Sequence, residues 1–155
     1  MEPIRVGAVP TGLGTPGAYL TVERDGKPFA RIDAYPSHGG PFVESAVWSA
    51  FVALGWGGAV HVVNPATRRV LRIDCATYFG HLYPLEDKLL IASASDLACL
   101  TSAGNVDWRS GPLGVDGVVV DRVADGVVVG RGDWDPPGGW RPFRLLLASG
   151  TPAAG

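Results

Sequence analysis

Short apolar runs separated by Gly-, Asn- and Asp-bearing turns recur along this chain, and the clearest lies at Leu89–Arg109, LLIASASDLACLTSAGNVDWR. Leu89, Leu90 and Ile91 pass through small residues into a second run, Leu97–Leu100. A Ser-Ala-Gly-Asn turn at 102–105 follows, and then Val106-Asp107-Trp108-Arg109. Brief β-rich segments joined in this way predict an antiparallel meander. Asp25-Gly26 between Tyr19–Glu23 and Pro28–Asp33 is a strong short-range hairpin signal. Asn64-Pro65-Ala66-Thr67 turns Val60–Val63 into Arg69–Ile73, and Asp125-Gly126 turns Val118–Asp121 into Val127–Gly130. The Val triplets at 118–120 and 127–129 are apolar on both faces, which predicts strands inside a sandwiched sheet.

One segment reads two ways. In Glu44–Leu54, ESAVWSAFVAL, residues Val47, Phe51 and Leu54 stand at helical spacing, yet the same stretch alternates with period two. Because the hairpin that follows needs a partner, the segment is expected to be a strand. Pro10–Gly17, Ala34–Pro41 and Gly132–Gly139 read as loops, Arg144–Leu147 as the last strand and Thr151–Gly155 as a frayed tail. The expected fold is therefore all-β: one domain over residues 1–150, an antiparallel meander of about ten strands arranged as propeller-like sheets or a sandwich.

The turns recur at a spacing of roughly 40 residues, a period typical of propeller-type repeats. A shift of 37 lays Val63–Ala66 on Leu100–Ala103 and Leu71-Arg72 on Trp108-Arg109. A shift of 46 lays Ala98–Gly104 on Arg144–Gly150. At Leu97–Arg109, with Gly104 and Trp108 in place, the chain resembles the repeat of quinoprotein-type β-propellers. Val60–Ile73 is the next best match, with Leu71 where the Trp should stand. The resemblance covers about half the chain and implies propeller-like sheets. Full propellers of this type need more repeats than 155 residues hold, so no cofactor is carried over. The closing pattern, Asp116-Gly117 and then Gly132–Trp140, also resembles small stand-alone bacterial proteins of unassigned function, among which immunity proteins of toxin systems occur.

Composition narrows the function more than the fold. At 155 residues the chain suits a single domain that buries roughly 70% of its unfolded surface. A formal net charge of −2, with no Lys/Arg stripe, argues against nucleic acid as a partner. No apolar run is long enough to span a membrane, and MEPIRVGAVP does not read as a secretory signal, so the expected compartment is the cytoplasm. Cys75 and Cys99 lie in apolar strand-like contexts and read as reduced core thiols, with a disulfide between them as the alternative.

Motifs for chemistry are sparse. Gly12-Leu13-Gly14-Thr15-Pro16-Gly17 matches G-x-G-x-x-G, but the dinucleotide fingerprint needs a helix after it and a strand is expected here. His38, His61 and His81 are too dispersed for a metal site, and no second Cys or His stands two to four residues from either cysteine. Ser37-His38 would point in opposite directions on a strand. No metal, cofactor or catalytic residue is therefore expected, and the chain is read as a non-enzyme. The most unusual stretch is Asp133–Arg141, DWDPPGGWR, in which two acids straddle a Trp, prolines stiffen the chain and a second Trp precedes Arg. Aromatic anchors rimmed by charge suit a recognition surface. Asp133, Trp134, Asp135, Trp140 and Arg141 are the expected partner-binding residues. The alternative is that both tryptophans fold back to plug the end of the sheet. The function expected is a protein-binding module, an immunity protein that blocks a toxin; the alternative is a small-molecule or carbohydrate binder using Trp56, Trp134 or Trp140 as stacking platforms.

Overall fold

A computed structural model describes residues 2–9, 12, 14–35 and 40–154. Fourteen strands fold into four consecutive sheets, none closed into a barrel, with no helix among the described residues. The first sheet holds β1 (Ile4–Gly7), β2 (Ala18–Arg24) and β3 (Lys27–Tyr35). The second runs β4 (Val43–Trp48), β5 (Phe51–Trp56), β6 (Ala59–Val63), β7 (Val70–Asp74), and the third β8 (Phe79–Pro84), β9 (Lys88–Ser93), β10 (Leu97–Thr101), β11 (Val106–Arg109). The fourth is β12 (Val118–Ala124), β13 (Val127–Asp133) and β14 (Trp140–Leu146). Strand order follows chain order in the last three sheets. In the first, β1 lies parallel to β3, with Ile4 opposite Ile32, which departs from the purely antiparallel expectation.

Fourteen strands replace the expected ten partly because Glu44–Leu54 is not one strand. It is β, but it folds back on itself at Ser49-Ala50, where Ser49 takes a left-handed φ of 54°. Trp48 then lies opposite Phe51, and their rings stack at 5.8 Å. Residues 151–153 also depart from the expected frayed tail. Leu145 bridges Pro152, Leu146 N–H donates to Thr151 O and Ala153 N–H donates to Arg144 O.

Alternation along each inner strand feeds two cores. In β9, Leu89 and Ile91 join Phe79 of β8 in packing toward Val60 and Val62 of the second sheet, whereas Leu90 and Ala92 pack toward the fourth with Val118 and Val128. In β5, Val52 and Leu54 face Ile4, Val6 and Ile32 of the first sheet, and Ala53 faces the third. Three apolar seams thus alternate with four sheets. The end sheets are covered on one face only, which corrects the reading of the Val triplets. Val118, Val120 and Val128 are buried, but Val119, Val127 and Val129 only half so.

The second and third sheets share one register. Val52↔Val63, Ala53↔Val62, Leu54↔His61 and Gly55↔Val60 correspond to Leu89↔Leu100, Leu90↔Cys99, Ile91↔Ala98 and Ala92↔Leu97, each residue 37 further on. The first strands of these sheets lie side by side, β4 beside β8 and β8 beside β12. Side chains tie them laterally: Leu82 N–H donates to Glu44 Oε2 (2.8 Å), and Val120 N–H donates to Tyr83 Oη (3.2 Å).

Candidate functional site

Asp133–Arg141 proves to be the end of a hairpin more than a loop. Asp133 closes β13 and pairs with Trp140, the first residue of β14. The shift of 46 equates Leu97 with Phe143, and beyond that point the two hairpins differ. Four residues connect Ala92 to the paired Leu97, residues 93–96, whereas twelve connect Gly130 to the paired Phe143, residues 131–142. The extra length adds three cross-strand pairs, Arg131↔Pro142, Gly132↔Arg141 and Asp133↔Trp140, and a tip closed by Trp134 N–H to Gly139 O and Gly139 N–H to Asp135 O.

The five expected residues are brought together but play unequal parts. Asp133 is 5% exposed; its carbonyl accepts the Val115 and Asp116 amides, and its own amide donates to Gly117 O. Its Oδ1 is buried without a hydrogen-bond partner among the described residues. Asp133 is thus the base of the hairpin and not its rim. Trp134 is half-buried, while Asp135 and Arg141 are exposed. Trp140 is 41% exposed, with its ring edge against Gly117 and the Arg131 guanidinium 5.8 Å from the ring centre. Arg131 is held in turn by a forked pair to Asp121 at 3.0 and 3.1 Å, which lowers the Asp121 carboxyl below its usual range. Of the other tryptophans, Trp48 and Trp108 are buried and Trp56 is half-buried. Trp140 alone among the five offers an exposed face.

A second constellation escaped the sequence reading. His81 Nδ1 lies 2.7 Å from Glu44 Oε1, with the Phe42 ring 4.8 Å and the Tyr83 ring 6.1 Å from the imidazole. A carboxylate can only accept, so Nδ1 carries the proton. Such a pair orients a general base or a metal ligand in many sites. Here both Glu44 oxygens are spent, one on His81 and one on the Leu82 amide, and no hydroxyl or thiol among the described residues hydrogen-bonds His81. Its evident work is to join β4 to β8. The signal that could have found it was the shift itself, because Glu44 and His81 stand 37 residues apart.

The remaining candidates read as structure. No group of three or more metal-ligating side chains occurs among the described residues. His61 is buried against the first sheet, and burial together with the Arg72 charge lowers its pKa. Cys75 and Cys99 are free thiols in different seams, pushed by burial up to about 12 and about 11. Burial and a 2.6 Å bond to Asp116 raise Tyr78 to about 12. The glycine-rich stretch at 12–17 leads into strand β2 with no helix, so the phosphate-binding geometry is missing. Ser37, His38 and, within that stretch, Leu13 lie outside the described residues. No helix among the described residues is long and apolar enough to cross a membrane.

A cleft lies elsewhere, between the β6–β7 and β10–β11 turns. It encloses about 480 Å³ and is lined by Phe51, Leu71, Gly104, Asn64, Arg69 and Asn105, among others. No protein-family model matches the chain, and no curated protein matches it either.

Proposed function

We propose that this chain is a non-catalytic protein-binding module, built on propeller-like stacked sheets, that engages its partner through the hairpin Asp133–Arg141. The observation that carries the reading is the lengthened β13–β14 connection, twelve residues where the third sheet uses four. It presents Trp140, Asp135 and Arg141 to solvent on a two-stranded support anchored at Asp133. An exposed aromatic flanked by opposite charges, on a backbone already hydrogen-bonded, binds with little loss of conformational freedom. The net charge of −2 suits a basic partner, and the form we favour is an immunity protein that occludes a toxin in the cytoplasm.

The test is affinity capture from the native host with wild-type protein and with Trp140→Ala, Asp135→Ala and Arg141→Glu. The expected outcome is one protein retained by the wild type and released by these variants, with unchanged thermal midpoints. Capture that survives all three substitutions, or no partner at all, overturns the reading.

A further inference from the structure

At each of the three seams the outer edge of one sheet meets the outermost turn of the next, and the three meetings are built differently. At the third seam, between the third and fourth sheets, Trp108 of β11 lies directly on the turn at Gly150. A Cβ at Gly150, whose φ is +71°, would stand 2.2 Å from the indole ring. The indole Nε1–H donates to Leu147 O at 2.8 Å. At the first seam, Arg68, the left-handed residue of the β6–β7 turn, donates to the carbonyls of Glu2 and Pro3 at 3.2 and 3.1 Å.

At the second seam the corresponding residues leave a vacancy. Leu71 lies opposite Val62 as Trp108 lies opposite Cys99, both members 37 residues apart, and Gly104 corresponds to Gly150 by the shift of 46. Leucine is too short to reach the turn. Phe51 meets Gly104 from β5, and the 480 Å³ cleft occupies the rest of the gap. That volume lies within the range of small-ligand pockets. Leu71 is 37% exposed at its edge. Arg69 and Asn105 line the same cleft, and among the described residues neither side chain forms a hydrogen bond or ion pair.

We infer that this cleft is a binding site for a small planar aromatic anion, a ring of indole size carrying a carboxylate. The ring takes the space that the shorter Leu71 leaves, against the Phe51 ring and beside the turn at Gly104. Arg69 supplies the charge for the carboxylate, which its planar fork can bind with two parallel hydrogen bonds. Asn105 offers a further donor and acceptor. This site is separate from the hairpin of the fourth sheet and does not depend on the partner proposed for it.

Indole-3-acetate and neutral indole are the probes, titrated into the full chain by calorimetry. Expected is a Kd for indole-3-acetate of about 1 mM or tighter and at least about tenfold weaker binding of indole. Arg69→Gln, a change at an exposed side chain, should bring the two ligands to equal affinity. Leu71→Trp should abolish binding of both by filling the cleft. Amide chemical-shift changes in the wild type should centre on Phe51, Leu71, Gly104 and Asn105, a readout that needs no variant to fold. Absence of binding, shifts centred elsewhere, an unchanged preference in Arg69→Gln, or binding that survives in folded Leu71→Trp would each overturn the proposal.

Discussion

The second and third seams are built on one register from similar strands, yet one is closed by an indole and the other holds a cleft. Three substitutions account for the contrast. Where the third sheet has Lys88, Asp107 and Trp108, the second has Phe51, Val70 and Leu71 at positions 37 residues earlier. Lys88 and Asp107 pair at 3.2 Å across the sheet edge, leaving the space beside the next turn to Trp108. Without that ion pair, Phe51 reaches the turn from β5, and Leu71 at the outer position leaves the cleft beside it. Register and turn placement set the frame, while one outer side chain decides whether a seam is sealed.

The largest effect should come from Trp108→Ala. An almost fully buried indole and its hydrogen bond to Leu147 disappear together, at about 3–5 kcal/mol in urea unfolding. A loss below 1 kcal/mol would mean that the third seam is held by something else. Next comes a matched pair of glycine changes. Gly150→Ala forces a methyl into the Trp108 ring at a left-handed φ and should cost about 3 kcal/mol. Gly104→Ala has a similar φ of +87°, but its Cβ meets only the edge of Phe51 at 3.1 Å, so it should cost about 1–2 kcal/mol. Equal losses at the two glycines would erase the distinction between the seams.

The outline of both seams was legible in the residues because turn chemistry is local. Asp25-Gly26 and Asp125-Gly126 mark their hairpins openly, and all four residues take left-handed φ values in the structure. Ser49-Ala50 carries no glycine, so the reversal inside Glu44–Leu54 stayed hidden behind an unbroken alternation. What closes a seam was not legible, because Trp108 and Gly150 meet only after two sheets have stacked. Glu44 and His81 are hidden for the same reason. In the hairpin, Asp133 reads as a surface charge until the 115–117 segment folds over it.

The first seam offers a control with a different chemistry. His61 faces it from β6 and has its pKa lowered by burial and by Arg72. The folded state therefore binds this proton less readily than the unfolded chain, and stability falls as pH drops below the unfolded value near 6.5. His61→Gln should flatten the dependence of the urea midpoint on pH between about 7 and 5. A midpoint that falls equally steeply without His61 would place the acid sensitivity in another group.

The most direct test of the account is the unfolding free energy of Leu71→Trp. If the cleft is the unfilled counterpart of the Trp108 seat, the new indole enters it, packs against Phe51 beside Gly104 and stabilises the protein by about 0.5–2 kcal/mol. A variant less stable than the wild type would show that the second seam cannot seat an indole, and the equivalence of the two seams would fall.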